Sequence, residues 1–268
     1  MSGYAAAGEV MYHIGLSNDM LCGAAYALLP GDPGRVEGLA RALSPSAKFL
    51  ASHRDFTSWL APMKGGAALV MSTGMGGPCV TFAVEELARL GVTTFIRVGT
   101  TGSIQEAISP GDVIVNYGAV RMDGASLAYA PAPYPAIADL DVTRALLDGA
   151  ARASIPVHRG ISISTDSFWP GQERYDSFSG YVLRRLQGSL EEFRRLGCSN
   201  YEMENATLFT LASVMGLRAG SVCGVVAKRT ESEAVAPPDV YRRAESRFQS
   251  IAREALTLLM KQDQVKEK

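Results

Sequence analysis

The sequence lacks the short motifs by which metal, nucleotide and membrane proteins are commonly recognised. Its four cysteines stand at isolated positions, outside any CxxC or Cys/His ligand pattern, and no apolar run approaches the length of a membrane span. The glycine clusters match neither GxGxxG nor the P-loop. These absences argue against a zinc motif, a dinucleotide-binding fold, an NTPase and a transmembrane protein. Because the N-terminus has no signal-peptide core, we expect reduced thiols and a cytoplasmic protein.

An excess of charge of one sign is also missing. The chain has 26 Lys and Arg against 27 Asp and Glu, for a formal net charge of −1. This balance indicates neither a nucleic-acid nor a membrane partner. The chain does have 268 residues and 47% hydrophobic content, enough for one large core or two small ones. Since no linker or break in composition divides it, we predict a single domain over residues 1–268, with loose tails at 1–10 and 261–268.

Apolar runs that end in turns alternate along the chain with segments of helical periodicity. We predict strands at residues 24–29, 67–71, 95–98, 112–115, 157–164 and 218–227, and helices at 36–43, 80–90, 141–153, 190–196, 201–215 and from 241 onward. Strands that alternate with helices indicate a three-layer α/β/α domain. Ligands of such proteins gather at the carboxyl ends of the strands.

The central candidate is the strand at 95–98, with the turn predicted after it at residues 99–102. Two glycines in that turn let the backbone approach a ligand, and two threonine hydroxyls can donate hydrogen bonds. Arg97 lies inside the otherwise apolar strand, and a fixed guanidinium beside such donors suits a phosphate-like oxyanion. Two interpretations stay open: an anion site, or a tight strand exit in which Arg97 pairs with a core carboxylate.

Two further arginines stand in similar surroundings. Arg35 follows a Gly-Asp-Pro turn that begins at Gly31, and Arg54 has polar neighbours. If both converged with Arg97, three guanidiniums would outweigh any one local carboxylate, and a dianion would be their common target. Taken singly, each arginine is more often the partner in a surface ion pair.

The stretch at 168–174 suits a planar heterocycle. Phe168 offers the face of a ring. Gln172 offers both a donor and an acceptor, whereas Arg174 offers only donors. This set fits adjacent carbonyl and N–H groups, such as those of uracil. The alternative is a capped aromatic loop with Gln172 in solvent.

Residues 200–205 place two acids on either side of Met203, at the start of a predicted apolar helix. A carboxylate such as Glu204 accepts two hydroxyl protons, which suits the vicinal diol of a ribose, and Met203 can pack beneath the sugar. The alternative is ordinary first-turn acidity favoured by the helix macrodipole, which is the better interpretation of this stretch alone.

Taken together and in this order, these stretches resemble the nucleoside phosphorylase family of the hexameric bacterial type. The resemblance rests on Pro-Gly-Asp-Pro at 30–33, Ser-His-Arg at 52–54, and residues 97–102, 168–174 and 201–204, and it runs from about residue 13 to the last helix. The motif Phe-x-Pro-Gly-Gln-Glu-Arg-Tyr at 168–175 is specific to the uridine branch of that family. The resemblance implies a nucleoside phosphorylase-like fold with a central mixed twisted sheet. It also implies the phosphorolysis of uridine to uracil and ribose 1-phosphate in pyrimidine salvage.

The resemblance further implies roles for individual residues. Phosphate would be held by Gly31, Arg35, Arg54, Arg97 and Thr100; ribose by His13, Thr100, Met203 and Glu204; and uracil by Phe168, Gln172, Arg174, Val226 and Arg229. The catalytic set would be Arg97, Gln172, Arg174 and Glu204. His13 resembles a family histidine that reaches a neighbouring subunit's pocket, which implies a homo-oligomer, a hexamer built as a trimer of dimers. The reaction takes inorganic phosphate as co-substrate and needs no metal or other cofactor.

The sequence departs from the family at two places. Asp55 and Cys79 stand where the members that bind potassium between subunits carry glutamate and serine. Aspartate is one methylene shorter, and cysteine is a poor ligand for a hard cation, which calls the potassium site into question. Ala227 and Lys228 precede Arg229 where the uridine branch commonly carries Val-Asn, near the base pocket.

Two alternatives to a uridine enzyme are open at this point. A purine nucleoside phosphorylase of the same fold protonates its leaving group with an aspartate after the strand at 218–227, and residues 226–230 hold no aspartate. A non-catalytic nucleoside-binding protein on this scaffold would be expected to lose Arg97 or Glu204, and both are present.

Overall fold

One sheet organises the molecule. The computed structural model describes residues 3–266. Within them the strands are β1 (Tyr26–Leu29), β2 (Lys48–His53), β3 (Phe56–Met63), β4 (Gly66–Met71), β5 (Thr94–Ser103), β6 (Val113–Met122), β7 (Ala136–Ile137), β8 (His158–Thr165), β9 (Asn200–Glu202) and β10 (Arg218–Lys228). They are ordered β10-β6-β8-β9-β5-β1-β4-β3-β2, and β7 pairs with β6. Because β10 also pairs with β5, five strands close into a ring at one end of the sheet.

Parallel and antiparallel pairs are mixed in this sheet, as the predicted fold class requires. β5 runs parallel to β1 and to β10 but antiparallel to β9. β2, β3 and β4 form an antiparallel meander at the open edge. The helices are α1 (Asn18–Leu21), α2 (Val36–Leu43), α3 (Gly77–Arg89), α4 (Leu140–Arg152), α5 (Ser189–Arg195), α6 (Asn205–Val214) and α7 (Pro238–Lys266).

Helices cover both faces of the sheet and enclose two cores. α2, α4 and α7 form one core, with Phe248 among its buried side chains, while α3 and α6 form the other, with Phe209. Phe95 of β5 belongs to the α3/α6 core and its neighbour Ile96 to the opposite one, as the alternation of side chains along a strand requires. The prediction of a three-layer α/β/α fold is confirmed.

β5 differs from the prediction because the strand does not end at residue 98. It continues through residues 99–102, which pair with β10, and Gly102 also pairs with Tyr201 of β9. The predicted turn is therefore wrong. A Cβ atom on Gly99 would lie 2.9 Å from the guanidinium carbon of Arg97. This glycine makes room for a side chain of the same strand rather than for a change of chain direction.

Two other predictions need correction. The helix predicted at 201–215 is wrong at its start, because residues 200–202 form β9 and α6 begins only at Asn205. The sequence also does not predict the hairpin of β2 and β3. Arg54 lies in its turn with a φ of 55°, a left-handed conformation that is uncommon for a residue with a side chain.

The prediction of a loose tail from residue 261 is wrong for residues 261–266. α7 continues to Lys266, and Asp263 accepts hydrogen bonds from Tyr26 and Arg218. Residues 3–10 form no helix or strand, although Ala5 donates its backbone N–H to the Arg89 carbonyl at 2.9 Å. Residues 1–2 and 267–268 lie outside the described part of the chain. The extent of the single domain over 1–268 stays a prediction.

None of the helices within residues 3–266 combines the length and the apolar character that a bilayer span requires.

Candidate active site

A cavity of about 220 Å³ opens at the carboxyl ends of the central strands. Ten of the predicted site residues line it: Gly31, Arg35, Arg97, Thr100, Phe168, Gln172, Arg174, Met203, Glu204 and Val226. They come from the segment after β1, from β5 and β10, from the segment after β8 and from the β9–α6 junction. Three predicted residues, His13, Arg54 and Arg229, do not line it. The fold thus joins the three stretches that the sequence could only treat separately.

Arg97 pairs with two acids at the centre of the cavity. Its Nη2 forms an ion pair with Glu204 Oε2, and its Nε lies 3.5 Å from Glu202 Oε2. All three side chains are buried. Burial alone would lower the pKa of Arg97, but the two carboxylates outweigh it and keep the guanidinium charged. The other oxygen of Glu204, Oε1, accepts the backbone N–H of Gly76 at 2.7 Å, so the carboxylate is held from both sides where it lines the cavity.

Glu202 is a site residue that the sequence analysis misses. Its Oε2 accepts the backbone N–H groups of Glu204 and Asn205, each at 2.7 Å, and Ser164 donates to its Oε1. These bonds fix the turn that carries Met203 and Glu204 into the cavity. Burial raises the pKa of Glu202, against the effect of Arg97. The sequence feature that could have identified Glu202 is its place as the first acid of the Glu-Met-Glu run at 202–204.

Arg35 lines the same cavity as Arg97, and it also has carboxylate partners. Its Nε is 2.9 Å from Glu245 Oε1 and 3.8 Å from Asp32 Oδ2, and its guanidinium lies over the ring of Tyr241. Burial lowers the pKa of Arg35, and Glu245 opposes that shift. The expectation that three arginines converge is therefore wrong for one chain. Two line the cavity, and each has an acid beside it.

The opposite end of the cavity has the aromatic and polar groups predicted for a base. The Arg174 guanidinium lies 4.2 Å from the ring centroid of Phe168. Gln172 is 3% exposed, which excludes the alternative of a glutamine in solvent. Arg229 lies behind this end and donates from Nη2 to the Gln172 carbonyl at 2.8 Å. Glu233, a residue without a predicted role, contacts both Arg174 and Arg229 at 2.5 Å.

His13 and Arg54 lie together outside the cavity. The His13 ring is 2.6 Å from Glu86 Oε1, and the His13 carbonyl is 2.8 Å from the His53 ring. Arg54 is exposed, and its guanidinium lies over the ring of Tyr12 at 5.4 Å from the centroid. The cavity of this chain therefore has no contact with either residue.

Asp55 and Cys79 lie close to each other beside Gly74, where an added Cβ would be 3.2 Å from Asp55 Cβ and 3.5 Å from Cys79 Sγ. Burial and the nearby Asp55 raise the pKa of the Cys79 thiol, so it stays protonated. A protonated thiol is a poor ligand for a hard cation such as potassium. Within residues 3–266, no group of three or more His, Cys, Asp or Glu side chains is arranged to hold a metal ion.

The known proteins that resemble this chain are phosphorylases. The model of the phosphorylase superfamily matches residues 25–257. A uridine phosphorylase of Salmonella typhimurium is 49% identical over 250 residues, covering 93% of this chain and 98% of that protein. A uridine phosphorylase of Thermococcus kodakarensis is 42% identical over 91% of this chain and 86% of its own. A guanosine phosphorylase of Halorubrum lacusprofundi is 35% identical over 74% of this chain and 76% of its own.

Proposed function

The chain belongs to the phosphorylase superfamily, and we propose that it is a pentosyltransferase that cleaves uridine with inorganic phosphate. The products are uracil and ribose 1-phosphate, as in pyrimidine salvage. One observation carries this proposal. A single cavity is lined by two buried guanidiniums, those of Arg97 and Arg174. A guanidinium forms strong, charge-assisted hydrogen bonds with oxyanions, and a ligand with an oxyanion at each end would pair with both arginines.

Phosphate is assigned to the end formed by Gly31, Arg35, Arg97 and Thr100. The ribose lies next to it, with its diol at Glu204 and its underside on Met203. Phosphate held beneath the sugar attacks the anomeric carbon as the glycosidic bond breaks, and holding both reactants in one cavity supplies the proximity that the reaction requires. The Arg97–Glu204 contact links the two subsites, because the guanidinium that binds the nucleophile also touches the carboxylate that orients the sugar.

The base end stabilises the leaving group. Negative charge develops on the pyrimidine as its bond to the sugar breaks, and fixed donors aimed at its oxygens lower the energy of that state. Arg174 and Gln172 are assigned this role. Phe168 and Val226 provide the apolar walls of the base end, and Arg229 supports Gln172 from behind.

The positions of His13 and Arg54 favour a homo-oligomer. Both were predicted to bind substrate, yet both lie on a surface outside the cavity of their own chain. We propose that this surface faces the cavity of a neighbouring subunit, so that Arg54 adds the third guanidinium and His13 meets the ribose. A hexamer built as a trimer of dimers is the assembly that the family resemblance implies.

A purine enzyme is the second candidate, because a guanosine phosphorylase is among the relatives. The structure offers no support for protonation of a purine. The segment after β10 holds Arg229 and Thr230, and its first acids, Glu231 and Glu233, are paired with Lys228 and with the two arginines. We therefore favour a pyrimidine.

The experiment that tests the function follows uridine and inosine cleavage, each with and without inorganic phosphate. We expect turnover of uridine only with phosphate, and a preference over inosine of roughly 10⁴-fold in kcat/KM, because a site built to hydrogen-bond one base leaves its polar groups unpaired with another. Gln172→Ala should erode this preference mainly through uridine. Equal turnover without phosphate would indicate a hydrolase, and comparable kcat/KM values for the two nucleosides would contradict the assignment of the base end.

A further inference from the structure

Glu233 bridges two buried arginines at the base end of the cavity. Its Oε2 lies 2.5 Å from Arg174 Nη1 and 2.5 Å from Arg229 Nε, and its Oε1 accepts from Arg229 Nη2 at 2.9 Å. The side chains of Arg174 and Arg229 are 5% and 0% exposed, whereas that of Glu233 is 33% exposed. One carboxylate from the segment between β10 and α7 therefore compensates two guanidiniums that solvent hardly reaches.

Without this carboxylate the two guanidiniums would repel each other. Burial lowers the pKa of Arg174, and the charge of Arg229 lowers it further, while Glu233 and, to a smaller extent, Asp176 oppose the shift. Within residues 3–266, every ion pair of Arg174 and Arg229 runs to Glu233. A buried charge that loses its partner is strongly destabilised, so Arg174 could not keep its present position alone.

The pairing also decides which donors of Arg174 remain for a ligand. Glu233 takes Nη1, while Arg174 still lines the cavity with its guanidinium above the Phe168 ring. Arg229, held by the same carboxylate, donates to the carbonyl of Gln172. Glu233 therefore fixes Arg174 directly and Gln172 through Arg229.

We propose that Glu233 is a positioning residue for the nucleobase, which holds Arg174 and Arg229 so that the free donors of Arg174 face the oxygen of the departing pyrimidine. This inference rests on the proposed function. When the glycosidic bond breaks, its electron pair passes to the ring nitrogen and is delocalised onto the carbonyl oxygens of the pyrimidine. Donors that are already oriented stabilise that charge without rearranging in the transition state. The carboxylate itself does not touch the base.

The test compares Glu233→Gln with the wild-type enzyme in the phosphorolysis of uridine and of 5-fluorouridine. We expect kcat/KM for uridine to fall roughly 10- to 100-fold, as when the partner that orients a ligand-binding side chain is removed, while KM for phosphate is unchanged. The loss should be smaller for 5-fluorouridine. Fluorine withdraws electron density and stabilises the leaving pyrimidine anion, which then depends less on Arg174. A general structural defect would lower kcat/KM for both nucleosides by the same factor.

Two further variants make the test specific to the charge of Glu233. Glu231→Gln is the matched control, because Glu231 lies in the same segment but pairs with Lys228 at 2.7 Å and does not line the cavity. It should keep wild-type kinetics. Glu233→Asp retains the charge and should fall between the wild type and Glu233→Gln.

Three results would overturn the inference: equal losses with the two nucleosides, equal losses in the two Glu233 variants, or higher activity of Glu233→Gln, which would mark Glu233 as a competitor of the base. Whether the wild-type enzyme cleaves uridine with phosphate decides the proposed function separately.

Discussion

The two ends of the cavity are built from different kinds of structure. The anion end stands on the sheet, since Arg97 lies within β5 and Gly31 lies two residues after the end of β1. The base end lies mostly in segments outside the strands, with Phe168 and Gln172 after β8 and Glu233 after β10, and only its wall residue Val226 belongs to a strand, β10. A central strand is fixed by hydrogen bonds to both neighbours, whereas a loop depends on fewer contacts and tolerates change more readily. In the proposed reaction, the constant reactant meets the rigid end and the variable base meets the adaptable one.

The two ends also differ in how complete they are within one chain. At the base end, every predicted residue lines the cavity or supports a residue that does. At the anion end, Arg54 is missing from the cavity, and the two arginines present each lie beside a carboxylate. A dianion would thus meet little excess positive charge in one chain. In the proposed assembly, the anion end therefore takes a contribution from a neighbouring chain, while the base end does not.

Arg97→Ala should produce the largest effect at the anion end. Removing one partner of a developing oxyanion costs about 2.7–4 kcal/mol of transition-state stabilisation, roughly 10²- to 10³-fold in kcat. Steady-state kinetics with varied phosphate would measure the loss. Uracil affinity, measured by calorimetry, should change much less, because Arg174 and Glu233 are untouched. Equal loss of phosphate and uracil binding would break the distinction between the two ends.

Lys64→Ala is the control for this comparison, since Lys64 is exposed in the turn between β3 and β4. The removal of Arg97 also leaves Glu202 and Glu204 without their cation. Thermal unfolding of both variants is therefore measured beside the kinetics. Near-normal kcat/KM in a folded Arg97→Ala enzyme would contradict the assignment of phosphate to this end.

Mixing two inactive variants would sharpen the difference in completeness. His13→Ala and Arg97→Ala each damage a different contribution to the pocket if His13 serves a neighbour. After subunit exchange, one pocket in each mixed pair combines the intact His13 surface with an intact Arg97 cavity, so we expect activity to recover. The readout is uridine cleavage before and after exchange, with exchange followed by mass labels. No recovery despite proven exchange would show that each pocket is built from one chain.

For the anion end, the sequence predicts which residues take part better than it predicts their backbone conformation. Arg97 and Thr100 stand out because an arginine in an apolar strand that runs into glycines and threonines is unusual, whereas the role of Gly31 is implied by the family resemblance. The turn assigned to residues 99–102 is wrong, since glycine pairs signal close approach without saying whether a ligand or a neighbouring guanidinium approaches. Local pattern therefore located the residues, and tertiary pairing decided their conformation.

The acids that hold the arginines could not be predicted with the same certainty. Glu245 pairs with Arg35 although most of the sequence separates the two residues, and no periodicity relates positions so far apart. Glu233 is four residues from Arg229, a spacing that suggests a pair, but its contact with Arg174 depends on the fold. Arg54 was placed with the phosphate residues by resemblance, which identifies a residue's role but not the chain it serves.

The smallest expected effect concerns the opposite ends of the same strands. Asp263 of α7 accepts from Tyr26, which begins β1, at 2.6 Å, and from Arg218, which begins β10, at 2.5 Å. Burial would raise the pKa of Asp263, but the bonds from Arg218 and Tyr26 outweigh it and hold that pKa below its usual range. A carboxyl with a lowered pKa stabilises the fold above its unfolded pKa of about 3.9. That contribution is lost as the pH falls through the folded pKa.

Asp263→Asn should therefore lower the free energy of unfolding at neutral pH by on the order of 1 kcal/mol, and the difference from the wild type should shrink below about pH 4. Denaturant titrations across pH would measure it. Asp141→Asn is the control and should change stability less. It breaks an exposed pair between Asp141 of α4 and Lys266, which lies on α7 like Asp263. Because the cavity lies at the other end of β1 and β10, uridine kinetics should stay as in the wild type. A fall in kcat/KM matching that of Arg97→Ala would mean that the anion end depends on the stability of whole strands rather than on its own charges.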